Sequence, residues 1–311
     1  MNNNTNNTGP TSITLFAGGG GSIVGSKNAD CKELLAIDFD ENSCEVLKLN
    51  NTTDGTLDFP VWQRDIQIVT STEIMEATGL QVGGLDILNM SPPCQGFSTQ
   101  NTKRDLNHPL NRLIYHAIRF IREMQPKVFI IENVPGMVQG IMQENWKKKA
   151  KVLISLGYRV RWKILDASHY DVPQARERVF VIGIRNDLGI TPTFPKPDLD
   201  HVVTFTEATG KDGFLTEQYG GKVFWGDRPC FTITKNRNMS FYGDKGTYKP
   251  GIDNIKEIDD VKALCGFPRD YKLIGSSTEQ WARLGNAVMP PVMEAIVRHI
   301  RETVFDHLNM N

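Results

Sequence analysis

No apolar run in this 311-residue chain approaches the roughly 18 residues that a bilayer-spanning helix requires, so a helical membrane protein is excluded. Cysteine is scarce: five residues, at positions 31, 44, 94, 230 and 265, form neither a disulfide framework nor a zinc-binding spacing. A reducing compartment, the cytoplasm, and a site without metal are expected. Excess charge is also missing, with 35 Lys and Arg against 36 Asp and Glu, so no bulk field draws the protein to nucleic acid. A local basic cleft stays open if folding gathers Lys103-Arg104, Arg119, Arg122, Arg176, Arg178 and Arg185. Residues 1–10 lack both apolar periodicity and charge, which reads as a flexible leader and not as a signal peptide. With 40% hydrophobic residues, the remainder supports one substantial α/β domain and a smaller second one.

What is present begins with the β-prone run Ser12 to Ala17, followed at once by Gly18 to Gly21 and a helix-like start at Ser22. Strand, glycine turn and helix is the local order of a cofactor-binding loop in a doubly wound sheet, because glycine lets a ligand approach the backbone. Glu33 to Ile37 reads as the second strand and ends at Asp38-Phe39-Asp40, 20 positions after Gly18. A carboxylate there can accept both hydroxyls of a ribose, and Phe39 offers a flat face to adenine. A dinucleotide and an S-adenosyl cofactor both suit this arrangement. Ile23 stands where the dinucleotide pattern has its third glycine, which leans away from the former. Asp65, ahead of the strand Leu85 to Leu88, can accept a hydrogen bond from an exocyclic adenine amine.

Cys94 follows that strand in Ser91-Pro92-Pro93-Cys94-Gln95-Gly96, where two prolines stiffen the entry to the thiol. A lone cysteine near a strand end is ordinarily core filling. The next apolar strand, Val128 to Ile131, however, ends in Glu132-Asn133-Val134, and the helical spacing of Leu110 to Ile121 supplies the crossover between the two. A thiol and a carboxyl thus reach the same edge of neighbouring parallel strands. That pair suits attack at carbon 6 of a pyrimidine, with proton sharing between the acid and ring nitrogen 3, which makes carbon 5 nucleophilic toward a sulfonium methyl. Further on, Gln174, Arg176 and Arg178 alternate on one face of an extended segment. Their guanidiniums can hold a phosphate or steady a base and Glu132, one of the two being structural.

Taken together, Phe16-Ala17-Gly18 through Gly21, Pro92-Pro93-Cys94-Gln95, Glu132-Asn133-Val134, Gln174 to Arg178, and Leu284-Gly285-Asn286-Ala287-Val288 with Pro290-Pro291 resemble the cytosine-C5 DNA methyltransferases, over residues 11 to 300. The resemblance implies an α/β, Rossmann-like doubly wound and mostly parallel sheet with a small irregular target-recognition domain. It also implies methyl transfer from S-adenosylmethionine, leaving S-adenosylhomocysteine, to a cytosine flipped out of duplex DNA. Cys94 would be the covalent nucleophile, Glu132 the nitrogen-3 contact, and Arg176 the support of base and glutamate, with Arg178 beside them. Phe16, Gly18, Gly20, Gly21, Asp38, Phe39, Asp65, Ile66, Pro92 and Asn286 would hold the cofactor. Gln95 and Ser98 would meet DNA from a closing loop. Thr14 departs from the pattern, since many relatives carry an acidic residue there.

From Asn186 to about Gly226 the prolines and glycines leave room for few long helices. The expected division is a leader at 1–10, a catalytic and cofactor domain at 11–185, target recognition at 186–260 and a return at 261–311. Arg228, Thr232, Lys235 and Arg237 are the candidate DNA contacts of the third part. Val261 to Pro268 reads as a compact turn, and about Pro291 to Leu308 as the last helix. A monomer working beside a separate restriction endonuclease, in a bacterial or phage system, is expected. An RNA cytosine methyltransferase on the same scaffold is the enzymatic rival; a binding-only module would have no need of both Cys94 and Glu132.

Overall fold

Seven of the extended segments pair edge to edge in one sheet: β1 (Thr11–Leu15), β2 (Lys32–Asp38), β3 (Val61–Gln63), β4 (Ile87–Met90), β5 (Val128–Asn133), β6 (Tyr158–Asp166) and β7 (Glu177–Arg185). The computed structural model describes residues 9–93, 112–216, 222–236, 239–242 and 255–309. Strand order is β3-β2-β1-β4-β5-β7-β6. All neighbours are parallel except β7, which runs antiparallel to both β5 and β6. From β1 the chain moves outward to β2 and β3 and then returns to β4 on the other side. The crevice this reversal opens at the carboxyl ends of β1 and β4 is where ligands of such sheets bind. Register aligns those ends: Leu15 lies opposite Ile37 and Met90, and Met90 opposite Ile131.

The central strands are buried on both faces, which is why β4 and β5 read as continuous apolar runs and not as alternation. Helices α1 (Gly21–Asn28) and α2 (Glu41–Asn50) follow β1 and β2; α3 (Ser71–Thr78), α4 (Leu113–Met124) and α5 (Gln143–Ser155) complete the first half. In α4, Ile114, Ala117, Ile118, Ile121 and Met124 recur at helical spacing and are buried against Leu88, Phe129 and Ile131. A capping box of Thr70 and Glu73 starts α3.

After β7, three antiparallel strands, β8 (Gly213–Thr216), β9 (Lys222–Trp225) and β10 (Met239–Tyr242), form a small sheet ordered β9-β8-β10. Phe214 packs against Phe205, Phe224 and Phe231 there. The chain returns through α6 (Ile255–Leu264), α7 (Ser277–Asn286) and α8 (Pro290–Ile300). Three expectations change. Val261 begins no turn, because α6 continues to Leu264 and its Asp260 is tied to Lys211 at 2.6 Å. The last helix starts at Pro290, where proline suits the first helical position, and widens to a π turn at Arg301–Phe305. Pro10, expected to belong to a flexible leader, is instead buried, and its carbonyl accepts from Lys32 N. No described helix is long and apolar enough to cross a membrane.

Candidate active site

Between β1 and α1 the backbone turns through left-handed conformations, with φ of 57° at Phe16, 52° at Gly18 and 87° at Gly20. The Gly18 amide donates to Asp38 Oδ2 at 2.7 Å, which ties this turn to the end of β2. Asp38 Oδ1 accepts from the Asp40 amide, and burial pushes the Asp38 carboxyl above its usual range. Each oxygen keeps a lone pair for a further donor. Phe39 beside it is 74% exposed, an unusual state for a phenylalanine. Asp65 holds the amide and side chain of Gln67, and Ile66 is buried. Arg119 of α4 donates to the Ile66 and Val69 carbonyls and so fixes this loop. Thr14 is buried in mid-strand, opposite Ala36 and Asn89 and close to the Glu33 carboxyl.

Two residues that sequence reading missed shape the glycine turn from the far end of the chain. Tyr271 Oη donates to Gly19 O at 2.8 Å, and a Cβ on Gly20 would sit 2.3 Å from that oxygen. Arg283 packs its Cγ 2.8 Å from where a Gly19 Cβ would be, and its guanidinium lies 3.5 Å from Asp40. A Cβ on Gly21 would stand 1.9 Å from the Val288 carbonyl. The run of four glycines was itself the available signal: a tight turn needs fewer, and the rest are demanded by close approach of the C-terminal return. Asn286, expected at the cofactor, is exposed at the end of α7 within that return.

At the neighbouring strand end, Glu132 closes β5 and Asn133 Nδ2 donates to Pro92 O at 3.0 Å, joining the two strand exits. Arg178 Nε lies 3.3 Å from Glu132 Oε1, with the two side chains 18% and 12% exposed. Burial raises the Glu132 carboxyl above its ordinary value, and Arg178, then Arg176, oppose that rise. Glu132, Arg176 and Arg178 share a cleft of about 210 Å³ with Leu165, Ala167, Phe180 and the return residues Val288, Met289 and Val292. The ion pair with the glutamate is made by Arg178, while Arg176, expected as its support, opposes the Glu132 rise through its charge. Arg176 is 2% exposed and donates to the carbonyls of Ile233 at 2.8 Å, Gly285 at 2.9 Å and Ala287 at 3.2 Å. Its side chain is an internal joint: it shares a face with Arg178, but it lies before the start of β7, where Ile233, Gly285 and Ala287 reach it, whereas Arg178 lies within β7 beside β5. Cys94, Gln95, Ser98 and Arg237 lie outside the described residues.

A glycine turn with an open left-handed position, a strand-end acid and a buried carboxyl paired with arginine are what a pyrimidine methylase requires. The model of the C-5 cytosine-specific DNA methylase family matches residues 11–216 and 254–302. The chain belongs to that family. Similar proteins include the Type II methyltransferase M.FnuDI of Fusobacterium nucleatum, 28% identical with 94% of this chain and 95% of that protein covered. M.AquIA of Picosynechococcus is 34% identical over 60% of this chain and 75% of its own length. Among solved structures, the Entamoeba histolytica methyltransferase EhMeth shares the fold with a TM-score of 0.68 and 17% identity, covering 97% of this chain and 99% of that one.

For a C-5 cytosine-specific methylase, S-adenosylmethionine is the implied cofactor, and the residues fit it. Nothing lies within 4 Å of where a Gly18 Cβ would point, the Gly18 amide is tied to the Asp38 carboxylate, and the Phe39 ring next in the chain is open. Of the residues left open as a basic surface, four arginines are engaged with the protein, Arg119 with loop carbonyls, Arg176 with the return, Arg178 with Glu132, and Arg185 with Asp187 and the Gln125 carbonyl, while Arg122 is exposed and Lys103-Arg104 lie outside the described residues. Of the candidate DNA contacts in the methylase, Arg228 is 59% exposed beside Asp227 and Lys235 is exposed. Thr232 is engaged, its hydroxyl donating to Ala175 O at 2.8 Å.

Proposed function

We propose that this methyltransferase modifies carbon 5 of cytosine in one short duplex sequence, through a covalent Cys94 adduct on a base flipped into the cleft at Glu132. What carries the reading is the Glu132–Arg178 pair in that cleft, one residue from the Asn133–Pro92 bond that anchors the Pro-Pro-Cys segment. When bound, S-adenosylmethionine supplies an electrophilic methyl group. The turn at Phe16, Gly18, Gly20 and Gly21 gives it backbone contact; Asp38 takes its ribose hydroxyls; Phe39 and Ile66 border the adenine, whose amine meets Asp65. Pro92 and Asn286 border the methionine end.

The Cys94 thiolate adds to carbon 6 of cytosine, and the ring π-electrons move toward nitrogen 3. Glu132, raised by burial, shares its proton there as charge develops, which lowers the cost of the addition. Arg178 keeps the carboxyl oriented and its charge balanced. Once carbon 5 carries the methyl group, its proton passes to solvent, the C5–H electron pair re-forms the C5=C6 bond as the sulfur–carbon bond breaks, and the thiolate is released while nitrogen 3 returns its proton to Glu132. Residues 186–260 select the sequence, with Arg228, Lys235 and Arg237 as its DNA contacts, and Gln95 and Ser98 contribute further contacts from the segment that follows Cys94. The likeness to Type II enzymes supports a modification role beside a separate endonuclease; the reading is completed by action as a monomer in the cytoplasm, in a bacterial or phage system.

Cys94→Ser is expected to abolish methyl transfer to cytosine-containing duplex DNA while keeping most cofactor affinity. Near-normal turnover by the pure variant would overturn the covalent role. Bisulfite mapping of DNA from cells expressing the protein identifies the base and its sequence context.

A further inference from the structure

The chain carries a net charge of −1, yet residues 147–163 hold seven Lys and Arg and no Asp or Glu. This segment folds as most of α5 and the adjoining strand β6, which among the described residues is an edge strand of the seven-stranded sheet. Trp146 of α5 meets Trp162 of β6 edge-on at 5.6 Å, so Val160, Trp162 and Ile164 face the helix and Arg161 and Lys163 face the other way. Lys148 and Lys151 on α5 and Arg161 and Lys163 on β6 are all exposed. None of these four has a carboxylate within 4 Å among the described residues, whereas neighbouring Lys147 is paired with Glu144. Trp162 stands between the two strand cations and is 39% exposed.

The edge is placed usefully for the site. Lys163 lies opposite Phe180, which lies opposite Glu132, so this cation is two strands, roughly 10 Å, from the candidate catalytic carboxyl and at its level. Arg161 continues the row away from the cleft. The arginines nearer the cleft are committed to internal partners, leaving this edge with four exposed cations, of which Lys148 and Lys151 feel Glu144 only at a distance.

We propose that the α5–β6 edge binds the phosphate backbone of duplex DNA flanking the methylated sequence, an inference that rests on the DNA-methyltransferase reading above. Its electrostatic contribution is independent of sequence and adds to whatever the recognition segment supplies. The competing role for such charges is protection of a free strand edge against pairing with another chain.

The two roles separate by salt dependence. Binding of the wild type and of a Lys148→Gln/Lys151→Gln/Arg161→Gln/Lys163→Gln variant is measured against salt, on a duplex barely covering the mapped sequence and on one about three times longer. Each lost phosphate contact lowers the slope of log K against log salt by about 0.9, so a drop of about two to four is expected on the long duplex and none on the short one. Turnover on the short duplex stays unchanged. Lys148→Gln/Lys151→Gln, which leaves the strand charges in place, should lose about half as much slope. Equal slopes for wild type and both variants on the long duplex overturn the proposal, as does a slope change confined to duplex RNA. Failure of the underlying reading looks different: the wild type then methylates neither duplex.

Discussion

Replacing Arg176 with methionine separates an internal joint from a chemical group. In the native protein this guanidinium is 2% exposed and donates to three carbonyls, one in the recognition segment at Ile233 and two in the return at Gly285 and Ala287. Methionine fills much of the volume but donates nothing, and each buried carbonyl left without a donor costs about 1–3 kcal/mol. Allowing for partial relaxation, the loss is about 4 kcal/mol, a large share of the roughly 5–15 kcal/mol that holds a domain folded. At about 2–4 °C per kcal/mol, thermal unfolding followed by circular dichroism should fall by about 10 °C. Arg178→Met is the control, because it removes the partner of Glu132, whose carboxyl can relieve its burial by keeping a proton. That variant should melt within a few degrees of wild type and yet methylate at least about 100-fold more slowly. An Arg176→Met protein with wild-type melting and lost turnover would refute the reasoning, as would an Arg178→Met protein with wild-type turnover.

Three other substitutions follow from the same geometry. Gly18→Ala meets no atom within 4 Å but must hold φ at +52°, so unfolding should shift by only about 1–2 kcal/mol, while calorimetry should find S-adenosylhomocysteine binding at least about tenfold weaker. Gly21→Ala, whose Cβ would lie 1.9 Å from the Val288 carbonyl, should instead lose both melting temperature and cofactor affinity; normal values of both would contradict the packing role of the return. Burial raises Glu33 from 4.5 to about 7, so the folded protein keeps a proton that the unfolded chain releases, and stability falls as pH rises from about 4.5 to 7. Glu33→Gln should flatten about 3 kcal/mol of that decline in urea titrations across this window, and an unchanged pH slope would count against it.

The order of strands and helices was legible because each rests on local patterning: the 3.6-residue spacing in α4, the doubly buried runs of β4 and β5, and the turn chemistry at Gly18 and Pro92. The acids at strand ends were legible for the same reason, since a carboxylate closing an apolar strand requires a partner or a use. Choosing between Arg176 and Arg178 was beyond local reasoning. Both alternate on one face, and only the pairing of β7 with β5, together with the arrival of Ile233, Gly285 and Ala287, assigns the inner position to one and Glu132 to the other. Tyr271 and Arg283 were invisible in the same way: they touch the glycine turn from more than 250 positions away. The basic edge is a sequence fact that acquired meaning through topology, because of the seven cations in residues 147–163 four, Lys148, Lys151, Arg161 and Lys163, stay exposed along α5 and β6, which among the described residues has a single strand neighbour.

By itself, then, the sequence determined the family, the sheet's parallel plan and which residue types stand at the strand ends, since these follow from period, turns and adjacent positions. The tertiary structure decided which arginine faces the carboxyl, why four glycines are needed where fewer would turn the chain, and where positive charge is left exposed. Those outcomes depend on contacts between segments remote in sequence, which fix burial and partners, and no spacing along the chain encodes them.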